Sequence, residues 1–274
     1  MNIKAMCQAY GVTTSGYYAW LKRADSPRHR ENRRIADRIS HIHQQSHGID
    51  GSPRITVVLQ RQGLSISEHR VARIIQAYGI MGCVHTRKPR APCGFDGVMR
   101  TSNKRLIRPA PTGINPVWVG DVTSIRFQKR WWYLAAVMDI YSRKIIGWAL
   151  DTHRRQELTL NALRKALQHR QPEPSMLFHS DRGVDYAAGG YRQLLTDNHR
   201  APSMNRPGHC TDNAHRESFF HSLKGKWIRQ TEYATVNEMK QAIRTYIVNF
   251  YNRTRLHSSL DYYSPNDFEK RIAH

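Results

Sequence analysis

The stretch VWVGDVTSIRF, residues 117–127, decides the fold. Val119, Asp121, Thr123, Ile125 and Phe127 alternate with their neighbours, so as a β-strand they share one face. An unpaired carboxylate is costly to bury on such an apolar face, and a bound cation removes that cost; a strand-end aspartate turned to solvent is the other reading of Asp121. Downstream, WWYLAAVMDIYS (131–142) and KIIGWALD (144–151) complete a three-strand meander. A helix fits 156–169, with Leu158, Ala162, Leu163 and either Ala166 or Leu167 inward. MLFHSD (176–181) reads as a short buried strand, 186–197 as a helix and APSMN (201–205) as another strand, and two helices follow over 213–229 and 235–252.

The order βββαβαβα is the ribonuclease H-like order, an α/β domain with a mixed five-stranded sheet and flanking helices, expected over 117–274 with a C-terminal helical tail. A small all-α region precedes it. Residues 2–23 read as two short helices around the turn 11–14, with Ser15 as cap and Tyr17, Tyr18, Trp20 and Leu21 as an aromatic face; this segment extends to residue 30, and a polar link is expected over 24–34. Over 31–88 come three helical signals: Ile35, Ile39 and Ile42 on one face; Ser52 as cap with Pro53 behind it, before Ile55, Val58 and Leu59; and a helix from Ser67 that buries Val71, Ile74, Ile75 and Tyr78 and leaves His69, Arg70 and Arg73 outside. This block reads as a helix-turn-helix-like DNA-binding region, with Arg70 and Arg73 as DNA contacts, or as a small helical subdomain that touches no groove. Residues 89–116, with Pro89, Pro92, Pro109, Pro111 and Pro116, read as a basic linker.

The 274 residues carry 43 lysines and arginines against 21 acids, a net charge of +22. The excess is not confined to one tail: residues 1–110 hold 19 basic and 6 acidic side chains, and residues 111–274 hold 24 and 15. Releasing counterions from a phosphate backbone rewards such a charge, so nucleic acid is the expected partner. Cys7, Cys83, Cys93 and Cys210 form no C-x-x-C pair, and His41, His43 and His47 have no cysteine pair at workable spacing, so neither a disulfide framework nor a zinc site is expected. No signal peptide or membrane-length apolar run is visible, which points to a cytoplasmic protein with no membrane partner.

Two further acids stand at structural junctions. Asp181 follows the strand in HSDRG, and Glu217 lies in DNAHRESFFHSLKGKW, where Phe220, Leu223 and Trp227 form the buried stripe and His221 and Lys224 follow Glu217 on its side of the helix. Taken singly, Asp181 would be a turn or helix-cap residue and Glu217 a solvated one. Asp212 reads as the cap of the Glu217 helix.

The ordered segments VWVGDVTSI, YLAAVMDIYSRKIIGWAL, FHSDRG, DNAHRESFFHSLK and YNRTRLHSSLDYYSP resemble the DDE transposases of the retroviral integrase superfamily. Within it they are similar to the second-frame product of insertion sequences that use two overlapping reading frames. GVTTSGYYAWLKR and RVARIIQAYGI extend the resemblance over nearly the whole chain. The resemblance implies that Asp121, Asp181 and Glu217 are the catalytic triad and hold two Mg²⁺ ions about 3.5–4 Å apart, with Mn²⁺ able to substitute. It implies strand cleavage and strand transfer on double-stranded DNA, at element ends and target; His221 and Lys224, on Glu217's side of the helix, are the DNA contacts expected beside it. It also implies a homo-oligomer on DNA, and an upstream reading-frame product as partner or fusion. Asp139 is structural by the same resemblance, and Val184-Asp185 departs from the serine and glutamine usual there. The competing readings are a DNA-binding regulator with an inactive catalytic domain and a ribonuclease H-type nuclease.

Overall fold

The computed structural model describes residues 2–80, 104, 110–181, 184–187, 189–204, 214–229 and 231–273. Most of the basic linker expected over 89–116, and Asp212, lie outside these residues. The chain divides into two compact units, Met1–Gln45 with Gly51–Met81, and Ser46–Asp50 with Gly82–His274.

The first unit is helical: α1 (Ile3–Ala9), α2 (Thr14–Leu21), α3 (Pro27–Gln45), α4 (Ser52–Arg61) and α5 (Glu68–Ala77). Ile35, Ile39, Ile42, Ile55, Leu59, Val71 and Ile74 form its core. Several local expectations are corrected. Helix α3 starts within the segment read as a polar link, because the Ser26 hydroxyl accepts the His29 amide and Pro27 suits a first turn. Thr13, not Ser15, caps α2, accepting the Gly16 amide. Gly51 is the cap of α4, which moves Ser52 and Pro53 into its first turn. Ser67, where the sequence starts this helix, is the cap of α5. Tyr78 lies beyond the end of α5 and is exposed, as are Tyr18, Trp20 and Leu21, so the aromatic face of α2 is not a packed one.

The second unit is built on β1 (Val117–Phe127), β2 (Arg130–Asp139), β3 (Ile145–Asp151), β4 (Leu177–Ser180) and β5 (Ala201–Met204), in the spatial order β3-β2-β1-β4-β5. The β1-β2-β3 meander is antiparallel, and β4 and β5 add in parallel to β1. Connecting them are α6 (Gln156–His169) and, where one helix was expected, two: α7 (Val184–Ala187) and α8 (Gly189–Asp197). One sheet face, with Trp118, Ala135, Val137 and Ala149, packs on α6 through Leu158, Ala162, Leu163 and Ala166. A methyl group at Gly147 would collide with the backbone of α6 at Ala162 and Ala166, so the helix sits on the sheet at a distance only glycine allows. The other face, with Ile125, Leu134, Ala136 and Met138, packs on α9 (Ala214–Ser222) and α10 (Val236–Thr245). Both helices run on into π-helical turns, Leu223–Ile228 and Tyr246–Tyr251, whose Trp227 and Phe250 rings stack 5.3 Å apart.

The tail is locked to the sheet by polar contacts. Asn252 acts as one residue of an extra strand: its Oδ1 accepts the Ile145 amide (2.9 Å) and its Nδ2 donates to the Ile145 carbonyl (2.8 Å). From α11 (Pro265–Ile272), Glu269 bridges Lys144 and Arg170. Asp139, fully buried, accepts the amides of Asn115, Tyr141 and Ser142; desolvation still pushes its pKa up. That set of contacts is structural, as the resemblance implies.

Candidate active site

The parallel register of β1 and β4 pairs Val117 with Leu177 and continues through Gly120 with Ser180. One residue further along each strand stand Asp121 and Asp181. Asp121 alternates in step with Ile125 and so lies towards the face that carries α9 and α10, and Asp181 follows directly on the paired end of β4. Both are half-buried. Asp121 Oδ1 accepts the Val122 amide at 2.8 Å. Behind it, a β-carbon at Gly120 would come within 2.6 Å of the Phe178 ring and 3.0 Å of the Tyr186 ring, so the strand is seated tightly next to the carboxylate.

Glu217 lies in α9, which packs against β1; its side chain is outside the described residues. Two turns later Lys224 is half-buried rather than displayed on the surface, and His221 between them is exposed. Burial, with Arg229 adding to it, holds the Lys224 pKa below its ordinary value, and the charge of Asp121 opposes them. The first π-helical turn is thereby within electrostatic reach of β1. Among the described residues no three His, Cys, Asp or Glu side chains group closely enough to hold a metal ion. The two aspartates, Asp121 within β1 and Asp181 just beyond the end of neighbouring β4, offer hard oxygen donors, a donor type suited to Mg²⁺ or Mn²⁺.

One pair beside the site escaped the sequence reading. Arg154, just after β3, donates from Nε to the buried carboxylate of Asp185 at 2.6 Å. Burial works against the charge on Arg154, but Asp185, then Asp181 and Tyr186, outweigh it and hold its pKa above the ordinary value. Asp185, the departure noted in the sequence, is therefore a neutralised partner rather than a further free carboxylate.

Comparison with known proteins shows the family. Two models described as integrase core domain match residues 111–210 and 217–272, and one described as HTH-like domain matches 30–89. The chain is 34% identical to an uncharacterised 31 kDa protein of insertion element IS600 from Shigella sonnei, over 97% of this chain and 98% of that one. It is 32% identical to the transposase InsF of insertion sequence IS3A from Escherichia coli, over 98% of this chain and 94% of that one. The chain belongs to the insertion-sequence transposase family. Among solved structures, the HTLV-2 integrase catalytic core domain in complex with magnesium is 15% identical, with a TM-score of 0.47, over 58% of this chain and 99% of that one.

In this transposase the helix-turn-helix-like block treats its two predicted arginines differently. Arg70 is engaged within the protein: its guanidinium meets Glu31 at 2.7 Å and Asn32 at 2.8 Å, and its hydrogen bond holds the Glu31 pKa low. Arg73 is exposed. Both line a cleft of about 420 Å³ together with Arg28, His29, His69 and Tyr78. Of the transposase's clustered histidines, His41 is exposed and the His47 ring lies tilted against Trp227 with centroids 4.0 Å apart, where burial lowers its pKa. No helix among the described residues is long and apolar enough to cross a membrane.

Proposed function

We propose that this transposase cleaves and joins DNA strands at the ends of its insertion element, with Asp121, Asp181 and Glu217 as the catalytic carboxylates. What supports the reading is the β1/β4 register, which pairs Gly120 with Ser180, the residues just before Asp121 and Asp181, together with the packing of α9, the helix that contains Glu217, against β1. These three residues would hold two Mg²⁺ ions, with Mn²⁺ as a substitute. Bound there, the ions would supply activation of the attacking hydroxyl and neutralisation of charge on the phosphoryl oxygens. The chain's own groups do the remaining work. Gly120 and the Phe178 and Tyr186 rings fix the height of Asp121. Lys224 balances the carboxylate charge from the helix side and offers a cation to a bound phosphate, and Arg154 does so beside Asp181.

The first unit supplies duplex affinity through the cleft that holds Arg28, His69 and Arg73, with Arg70 recruited from Glu31 when phosphate competes for it. The active form is a homo-oligomer on double-stranded DNA in the cytoplasm, acting with or fused to an upstream reading-frame product. The test uses duplex DNA carrying the element's own ends: Asp121→Asn, Asp181→Asn and Glu217→Gln each abolish cleavage and joining in Mg²⁺ and leave end binding intact. Joining by any of these variants at the wild-type rate would refute the assignment of that residue.

A further inference from the structure

A second feature begins one residue beyond Asp121, mainly on the sheet face that carries α6. Strand β4 pairs with β1 only as far as Gly120, and on the outer half of the β1-β2 hairpin a cleft of about 280 Å³ is lined by Val122, Thr123, Ser124, Trp131, Tyr133 and Arg154. Trp131 is 50% exposed, which is unusual for so large an apolar ring. The Arg126 guanidinium lies 5.8 Å from its centre, and Lys129 and Arg130 are exposed at the hairpin end. At the inner end stands Arg154, held by Asp185 and within electrostatic reach of Asp181. The cleft therefore combines the exposed Trp131 ring with Arg154 in its lining, and Arg126, Lys129 and Arg130 stand on the same hairpin beside it. Of the nearby acids, Asp185 is neutralised by Arg154, and Asp151, paired across the sheet with Tyr133, has its carboxylate engaged by the Thr152 and His153 amides.

Aromatic faces among cations recognise nucleic acid by stacking bases and meeting phosphates. The flat face of a base is available for stacking only outside the duplex stack. We propose that this cleft binds an unpaired stretch of the DNA strand next to the phosphodiester being cut, with Trp131 and Tyr133 stacking on bases and Arg126 and Arg154 contacting phosphates. The inference rests on the strand-transfer reading above and adds to it where the strand runs on leaving the carboxylates.

The test measures anisotropy of labelled oligothymidylate of about 12 nucleotides, and of a duplex of equal length, with the full chain in EDTA. Trp131→Ala should weaken single-strand binding about fivefold or more and change duplex binding by less than about twofold, with Trp131→Phe restoring most of the loss. Equal binding of oligothymidylate by wild type and Trp131→Ala would overturn the proposal, and so would an equal loss for single strand and duplex. If Trp131→Ala melts lower than wild type, Arg126→Ala carries the test: its salt slope for oligothymidylate should fall by about one, and an unchanged slope overturns the proposal. Because no metal is present, the outcome is separate from that of the carboxylates. Acidic variants that still join strands alongside a Trp131→Ala defect would refute the triad and leave the cleft standing; the reverse pattern would do the opposite.

Discussion

Replacing Gly120 by alanine tests how tightly the fold holds Asp121. The added methyl would meet Phe178 Cζ at 2.6 Å and Tyr186 Cε1 at 3.0 Å, and both rings are buried in the cluster under α6. The Phe178 ring is itself packed edge-on against Tyr191 at 5.6 Å, so neither ring has open space to move into. Overpacking of this kind costs about 1–3 kcal/mol. For a unit of this size that lowers the melting midpoint by roughly 2–4 °C per kcal/mol. The alternative to ring movement is displacement of β1, which carries Asp121 away from Asp181, and a shift of about 1 Å in a reacting group costs on the order of a hundredfold in rate. Gly120→Ala should therefore lower both the melting midpoint and the strand-cleavage rate, followed by circular dichroism and by gel assay on labelled element ends. Phe178→Leu in the same chain removes the opposing ring edge and should make the double variant more stable than the sum of the single effects, by about 0.5–3 kcal/mol. A Gly120→Ala protein with wild-type melting and wild-type cleavage would refute the reasoning.

Other consequences are more local. Asn252→Leu keeps the volume but leaves the Ile145 amide and carbonyl unpaired; at about 1–3 kcal/mol for each buried orphan, urea unfolding should show a loss of roughly 2–6 kcal/mol. Burial alone would raise the Glu269 pKa, but hydrogen bonds from Arg170, Lys144 and Ser142 outweigh it and depress the value. Its stabilising contribution is thus complete above the unfolded carboxyl pKa of about 4.3 and disappears as pH falls through the lower folded value, so Glu269→Gln should flatten the acid limb of a stability-versus-pH curve. Gln128 and Lys129 form the β1-β2 turn with φ of 45° and 61°, a left-handed pair without glycine; Lys129→Gly should raise the urea midpoint by an amount equivalent to about 1 kcal/mol.

The parts legible in the sequence were those with a short-range signature. Alternation in 117–127 gave β1 and put Asp121 on the side of Ile125 and Phe127, which do pack on the C-terminal helices. The helices at 156–169 and from Ser67 followed from their apolar spacing. What was missed had signals that compete or span distance. Ser26-Pro27 is a helix start placed in an arginine-rich run that reads as polar link. The π-helical turns leave no periodic mark, because the side chains of Trp227 and Phe250 choose each other across two helices. Arg154 and Asp185 are 31 residues apart and meet only because β3 ends beside α7, a juxtaposition that spacing does not encode. Arg70 looked like a free cation on an exposed face, yet a carboxylate 39 residues earlier holds it.

The most direct measurement is anomalous scattering from Mn²⁺ in crystals of the full chain bound to DNA with its element ends. The expected result is metal density within about 2–2.5 Å of carboxylate oxygens from Asp121, Asp181 and Glu217 together. Metal bound elsewhere, or a Glu217 carboxylate turned away from ions held by the two aspartates, would contradict the proposal that these three residues form one phosphoryl-transfer site.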